Sequence, residues 1–415
     1  MSDPTFGISI TRIDNEPRPA VWSDMSVVGL IGTAPAADAD LFPPDTPVFM
    51  YSDDASKRTA LGAQGTIPDA LALINAQLGE FQVAAKVVVV RVEEGDTVSE
   101  TIANIVGDGI STGLEAFVQA GPLLGVIPRL ICAPGFTSQR TGTDANAVCA
   151  ALPAICNKLL AHAVVDGPAT TEQAAIDWRE TISSSRLIPV DPAVRVMSGG
   201  QVAVMPLSPA VIGIGVRRDH EKQGRPFHSW ANQPVAGIVG PSRPVNFSLT
   251  DGATEGQRLL SHNIGVLLRG ELGVETAIAS GGFVFVGTDN AGEDDLWRFY
   301  NVTRGRDYIH LMFLRTLRFY LGRFNLTGQT IQAVLNTMGF AMRDLKADGD
   351  ILGYEVKFTR AQNSAEELRQ GRFTVNFAAE EAPVLRYLGI QSARYRPALD
   401  ALLDDLLAQV DAVTG

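Results

Sequence analysis

The hydrophobic pattern changes period from one region of the chain to the next. Near the start, Phe6, Ile8 and Ile10 alternate with Gly7, Ser9 and Thr11, which predicts a short strand. Pro4, Pro17 and Pro19 bracket it and keep it from continuing as a helix. With no hairpin partner nearby, this strand either stays unordered or adds to a sheet edge elsewhere, including one in a neighbouring copy. Residues 27–32 and 47–51 read as strands. The continuous β-branched run at 86–92 predicts a strand covered on both faces. Ser52-Asp53-Asp54 can cap a helix starting near Ala55, and 70–78 forms the next helix.

Through the middle, strands at 129–133, 163–165 and 187–190 alternate with helices at 144–161 and 171–184, which predicts a mainly parallel sheet. A further helix spans 208–223. The last third differs. Strand 283–286 is followed by helices at about 306–321 and 330–346, the second stopped by Asp348-Gly349. Then Leu352, Tyr354, Val356 and Phe358 alternate with polar or small residues, and so do Phe373, Val375 and Phe377. These predict two half-buried strands. Ser364 and Glu367 between them fit a capping box. At the end, Leu399, Leu402, Leu403, Leu406 and Leu407 have helical spacing, with Asp400, Asp404 and Asp405 opposite. The fold class is therefore α/β and α+β: a mainly parallel sheet, then two helices with a β-hairpin, between extended terminal arms.

Composition narrows the function. The chain has 415 residues, enough for two or three domains, and 46% apolar against 19% charged residues suits a folded chain. A formal net charge of −12 without a Lys/Arg run argues against nucleic acid and anionic membrane surfaces. Cys132, Cys149 and Cys156 match neither a metal knuckle nor a redox pair, so they read as small buried apolar residues in a reducing compartment. No signal peptide opens the chain, and no apolar run reaches the roughly 18 residues of a membrane span. The expectation is synthesis and folding in the cytoplasm, without membrane insertion.

No catalytic constellation emerges. Gly213-Ile214-Gly215 lacks the third glycine of a dinucleotide fingerprint, and phosphate-loop, nucleophile-elbow and zinc-protease motifs are missing. The histidines are scattered. Asp289, Glu293, Asp294 and Asp295 lack calcium-loop spacing and read as a solvated turn, and Asp348-Gly349-Asp350 reads as a helix stop. No catalytic, cofactor-binding or metal residue is expected. Arg304, Arg315 and Arg318 fall on one helical face, which is either a docking face for an acidic partner or a solvated face with intrachain salt bridges.

The ordered set of segments resembles the contractile phage tail sheath proteins, specifically the compact sheaths of long-tailed temperate phages and contractile bacteriocins. It comprises Val27-Val28-Gly29-Leu30-Ile31-Gly32-Thr33-Ala34-Pro35, Pro68-Asp69-Ala70-Leu71 followed by 87–92, and Ser208-Pro209-Ala210 with Arg217-Arg218-Asp219 and Trp230-Ala231-Asn232. Leu296-Trp297-Arg298-Phe299-Tyr300-Asn301-Val302 and 330–346 with Gly353-Tyr354-Glu355-Val356 complete it. The resemblance covers most of the chain. It implies an N-terminal arm at 1–24, an outer α/β domain at 25–285, an inner C-terminal domain at 286–383 and a C-terminal arm at 384–415. It implies that Phe6, Ile8 and Ile10 exchange into a neighbour's sheet, with the hairpin bearing Tyr354, Val356, Phe358, Phe373, Val375 and Phe377 as receiver. Arg304, Arg315, Arg318, Arg343 and Lys346 become candidates for facing the tail tube. The implied partners are copies of the chain itself in a helical polymer, the tube protein, and baseplate and tail terminator proteins. Assembly in the host cytoplasm would lead to the virion tail, with contraction serving genome ejection and using no fuel molecule. Two other readings stand beside it: the sheath of a bacteriocin or non-virion injection particle, and an α/β enzyme using the sheet around 129–190.

Overall fold

Why the run at 86–92 carries no polar alternation is plain from its neighbours. In the computed structural model, which describes residues 20–414 apart from Gln82, β1 (Val28–Thr33) lies between β3 (Lys86–Val92) and β4 (Leu130–Cys132), parallel to both. Successive residues enter opposite cores. Leu30, Val87 and Val89 pack on one face; Ile31, Val88 and Val90 pack on the other. Before β3 come β2 (Pro47–Tyr51), α1 (Ala55–Leu61) and α2 (Thr66–Leu78), with Asp54 accepting from the Lys57 N–H as the cap of α1. The predicted strand bearing Phe6, Ile8 and Ile10 lies outside the described residues.

Beyond β3 run α3 (Val98–Val106), α4 (Ala116–Leu124), α5 (Ala147–Leu159), β5 (His162–Asp166), α6 (Glu172–Arg179) and β6 (Leu187–Asp191). A hairpin of β7 (Val194–Ser198) and β8 (Gln201–Met205) precedes α7 (Ser208–Glu221). Short strands β9 (Gln233–Pro234) and β10 (Gly240–Pro241) follow, then α8 (Glu255–Ser261), β11 (Gly265–Arg269) and β12 (Phe283–Val286). The nine-stranded sheet has the order β2-β3-β1-β4-β5-β6-β11-β12-β9. From β3 to β11 all pairings are parallel; β2 at one edge and β12 with β9 at the other are antiparallel. The expected mainly parallel sheet is present. The pattern did not predict α3, α4, the β7–β8 hairpin, α8 or β11.

Helices α2 and α7 cover one face of the sheet, and α3, α4 and α5 the other. Gly213 and Gly215, rejected above as a nucleotide motif, are close-approach positions. A Cβ at Gly213 would sit 2.8 Å from the Gln77 side chain, and one at Gly215 2.8 Å from the Trp230 ring. The three cysteines are buried and unpaired, and burial pushes the Cys156 thiol up to about 12.

The last third holds α9 (Tyr300–Leu317), α10 (Gly328–Ala347), β13 (Ile351–Lys357), α11 (Ala365–Arg369) and β14 (Asn376–Glu381). Helix α9 starts before the predicted 306 because tertiary bonds hold its first turn. Tyr300 donates to the Gly287 carbonyl at 2.8 Å and Asn301 to that of Phe227 at 2.9 Å. The described residues up to Pro383 form one unit, and 384–414, which contains α12 (Pro397–Thr414), a second. Within the first unit, the last third is tied to the sheet by Arg186–Asp307, by His162 Nε2 3.1 Å from Thr303 Oγ1, and by Arg225–Asp350 at 3.1 Å. Among the described residues, no helix is long and apolar enough to cross a membrane, and no cluster of three or more metal-ligating side chains occurs.

Candidate assembly surfaces

Strands β13 and β14 form a two-stranded antiparallel sheet in the register Val356↔Phe377 and Tyr354↔Ala379. A lone hairpin is marginal in water. This one is supported from one side, where Tyr354, Val356, Phe377 and Ala379 pack on the cluster formed by α9 and α10. Phe377 meets Phe313 edge-on at 4.9 Å and His310 at 5.7 Å, and Arg306 reaches Glu381 at 2.6 Å. Each strand pairs with only the other among the described residues, so each presents an edge of unpaired backbone groups.

The hairpin differs from the predicted one in two ways. Leu352 is 60% exposed while Ile351 is buried, because an irregularity between Ile351 and Gly353 shifts the register and turns Leu352 outward. Phe358 falls beyond β13 and is exposed. The second strand starts at Asn376, so Phe373 and Val375 pack on the core from extended chain before it. The cause is Asn363, a buried side chain that takes the place of a partner strand. It accepts from the Thr374 N–H at 2.7 Å and donates to the carbonyls of Thr374 and Thr359, each at 2.9 Å.

The arginine row of α9 divides along its length. Arg304 is fully buried and does not belong to an exposed docking face, which corrects the sequence reading for that residue. Its guanidinium donates to both carboxylate oxygens of Asp219, at 3.1 and 2.5 Å, and to the Met25 carbonyl at 3.2 Å, and it lies 4.9 Å from the Trp230 ring centre. Burial raises the Asp219 pKa, and the Arg304 charge opposes that rise. Arg315 and Arg318 are exposed; Arg315 donates to the Trp22 carbonyl at 2.9 Å. Arg343 and Lys346 are exposed on the last turns of α10, with Arg343 stacked 4.6 Å over Phe340.

Residues 20–25 run along α9. The Val21 N–H donates to Thr316 Oγ1 at 3.0 Å, Trp22 stacks on Tyr308 at 5.0 Å and 9°, and Met25 is buried near Arg304. Asp24 meets Lys86 at 2.7 Å. This root for the N-terminal segment was not visible in the sequence, since a lone Trp22 after two prolines carries no period. In the second unit, 384–395 forms neither helix nor strand, with Leu385, Tyr387, Leu388 and Ile390 exposed.

Among the described residues, the two edges of the supported hairpin and the exposed apolar residues of the second unit are therefore features without cover. Sequence and fold comparisons agree on the class. A prophage major tail sheath protein of Pseudomonas aeruginosa is 28% identical over 382 residues, 91% of this chain and 93% of that protein. The tail sheath protein of Escherichia phage P2 is 25% identical over 403 residues, 94% and 96% of the two chains. The contracted helical sheath of the anti-feeding prophage superposes with a TM-score of 0.69 at 17% identity, covering 95% of this chain and all of that one. The contracted sheath of an extracellular contractile injection system gives 0.68 at 14%, covering 96% and 99%. No family model matches the chain. The fold is that of helical contractile sheath subunits. Over nearly its whole length the chain is similar in sequence to phage and prophage tail sheath proteins.

Proposed function

We propose that this chain polymerises helically around a tail tube as the sheath of a phage virion, and that contraction of the polymer drives the tube through the host envelope. The observation that carries the reading is agreement over nearly the whole length with tail sheath proteins, in sequence and in fold. The names of the phage P2 and prophage relatives favour a virion tail over a free injection particle.

In this reading residues 1–24 are the N-terminal arm, rooted on α9 through 20–24, and 384–415 is the C-terminal arm. Phe6, Ile8 and Ile10 add as a strand to an open edge of β13 or β14 in a neighbour, where main-chain hydrogen bonds supply the affinity. Residues up to 285 form the outer part and 286–383 the inner part. With Arg304 buried, the exposed Arg315 and Arg318 of α9 and its end, and Arg343 and Lys346 at the end of α10, are the candidates for facing the tube. Baseplate and terminator proteins cap the polymer, which assembles in the host cytoplasm. Contraction needs neither cofactor nor catalysis, because subunits repack as rigid bodies into a lower-energy helix. A rigid subunit suits this, and Arg304–Asp219, Arg186–Asp307 and Arg225–Asp350 supply it by fastening inner to outer parts.

The test is negative-stain electron microscopy of the purified full chain beside a chain lacking residues 1–19. The expected result is long hollow striated cylinders from the full chain only. Cylinders from both chains would remove the N-terminal arm from the account; globular monomers from the full chain under all assembly conditions would overturn the sheath reading.

A further inference from the structure

The face of α9 beyond its buried half is an apolar groove with no cover among the described residues of the first unit. Leu160, Phe313, Leu314, Leu317, Arg318 and Leu321 line it around about 460 Å³, with Leu314 63% and Leu321 79% exposed. The surrounding sequence is basic in an otherwise acidic protein. No Asp or Glu occurs between Asp307 and Asp344, a stretch that carries Arg315, Arg318, Arg323 and Arg343. Helix α12 is the counterpart in shape and charge. Leu399, Leu402, Leu403, Leu406 and Leu407 form one exposed stripe, while 397–414 carries Asp400, Asp404, Asp405 and Asp411 and no Lys or Arg.

We infer that α12 of one copy docks, leucine stripe inward, into the α9 groove of a neighbouring copy. The inference rests on the self-association proposed above. It adds a helix-in-groove contact that is separate from strand exchange. The spacing is compatible: Leu399 to Leu407 covers eight helical steps, about 12 Å, and the apolar lining runs along α9 from Phe313 past its end to Leu321. The acidic flanks of α12 then meet Arg318 at the groove wall, and Asp404, next to Leu403 on that helix, is the flank residue chosen to test the pairing. The competing occupants match less well. The pattern at Phe6, Ile8 and Ile10 has the period of a strand, and 384–395 forms no helix, so neither presents the helical leucine stripe that fits a groove along a helix.

The test uses full-length chains and a bismaleimide cross-linker, which the buried Cys132, Cys149 and Cys156 do not meet. Leu314→Cys is placed on one chain and Leu403→Cys on another; both sites are exposed, so folding is preserved. Mixing them is expected to give a covalent dimer, scored on denaturing gels whether or not cylinders form. Arg318→Glu is expected to lower the yield about tenfold, and adding Asp404→Arg on the partner to restore it. Cylinders without the cross-link would overturn the inference and leave the sheath reading standing. A link formed only within a doubly substituted chain at high dilution would overturn it too, by showing that the chain's own tail covers the groove. The loss of cylinders themselves, scored separately by microscopy, counts against the sheath reading.

Discussion

Arg304 has the pairing that makes a single substitution costly. Its removal strands the Asp219 carboxylate in a site that is 1% exposed, takes the donor from the Met25 carbonyl and uncovers the Trp230 face. Breaking a buried pair from one side costs about 3–5 kcal/mol. Arg304→Met should therefore lower the urea midpoint of the unassembled chain by that equivalent, and Arg315→Ala, on the exposed part of the same row, should change it by less than about 0.5 kcal/mol. Asp166 supplies a pH handle. It is buried, its pKa is raised by desolvation to about 6, and it caps α7 by accepting from the Ser208 N–H at 2.7 Å. A carboxyl whose folded pKa lies above its unfolded value contributes stability that is present near pH 4 and lost as pH rises through about 6. Asp166→Asn lacks that contribution, so its stability relative to the parent should improve by on the order of 3 kcal/mol between pH 4 and pH 7, read as paired urea midpoints. An unchanged difference between the two pH values would refute the assignment. Spacing placed Arg304, Arg315 and Arg318 on one azimuth of a helix. It carried no information on depth along the axis, and α9 passes from the core at Arg304 to the surface at Arg315, which is why one residue of the three was misread.

At the scale of elements, alternation located the hairpin but not its register. Tyr354, Val356 and Phe377 face the core as the period demands, whereas Leu352 escapes through the irregularity and Phe373 and Val375 precede the strand. Alternation measures which side a residue faces and is blind to what its backbone bonds to; Asn363 captures Thr374 and so delays pairing by a few residues. Asn363→Ala should cost about 1–3 kcal/mol, the sum of lost bonds and unpaired buried groups. Hydrogen exchange should show the Thr374 amide losing protection while those of β13 and β14 keep theirs. Equal protection at Thr374 before and after would show that Asn363 is not what holds the segment. The parallel sheet was more legible, because a strand buried on both faces writes its burial as an unbroken apolar run, as at 86–92. The β7–β8 hairpin was not: Met197, Val202 and Val204 point outward at 57–63% exposure, reversing the usual code.

Across the whole molecule, and in the proposed polymer, the N-terminal root is where a neighbour's pull on the arm would enter the subunit. Trp22 on Tyr308 and Val21 on Thr316 carry any tension straight into α9, the helix that also supports the hairpin. Trp22→Ala removes a stacked pair worth about 0.5–1.5 kcal/mol beyond its area. The unassembled chain should remain folded, and its cylinders should come apart at a lower temperature than the parent's in a turbidity or microscopy series. Cylinders of equal heat resistance would show that load bypasses the root.

The meeting of Met25, Asp219 and Arg304 also bears on when a subunit becomes usable. Met25 leaves the ribosome 279 residues ahead of Arg304, an interval of roughly 15–60 s at ~5–20 residues per second. Until then the Met25 carbonyl lacks its donor, Asp219 lacks its counter-charge, and the root has no α9 on which to lie. A nascent chain that has not yet reached α9 therefore lacks every contact between 20–25 and that helix, and in the proposed polymer its N-terminal segment would have no root from which to reach a neighbour.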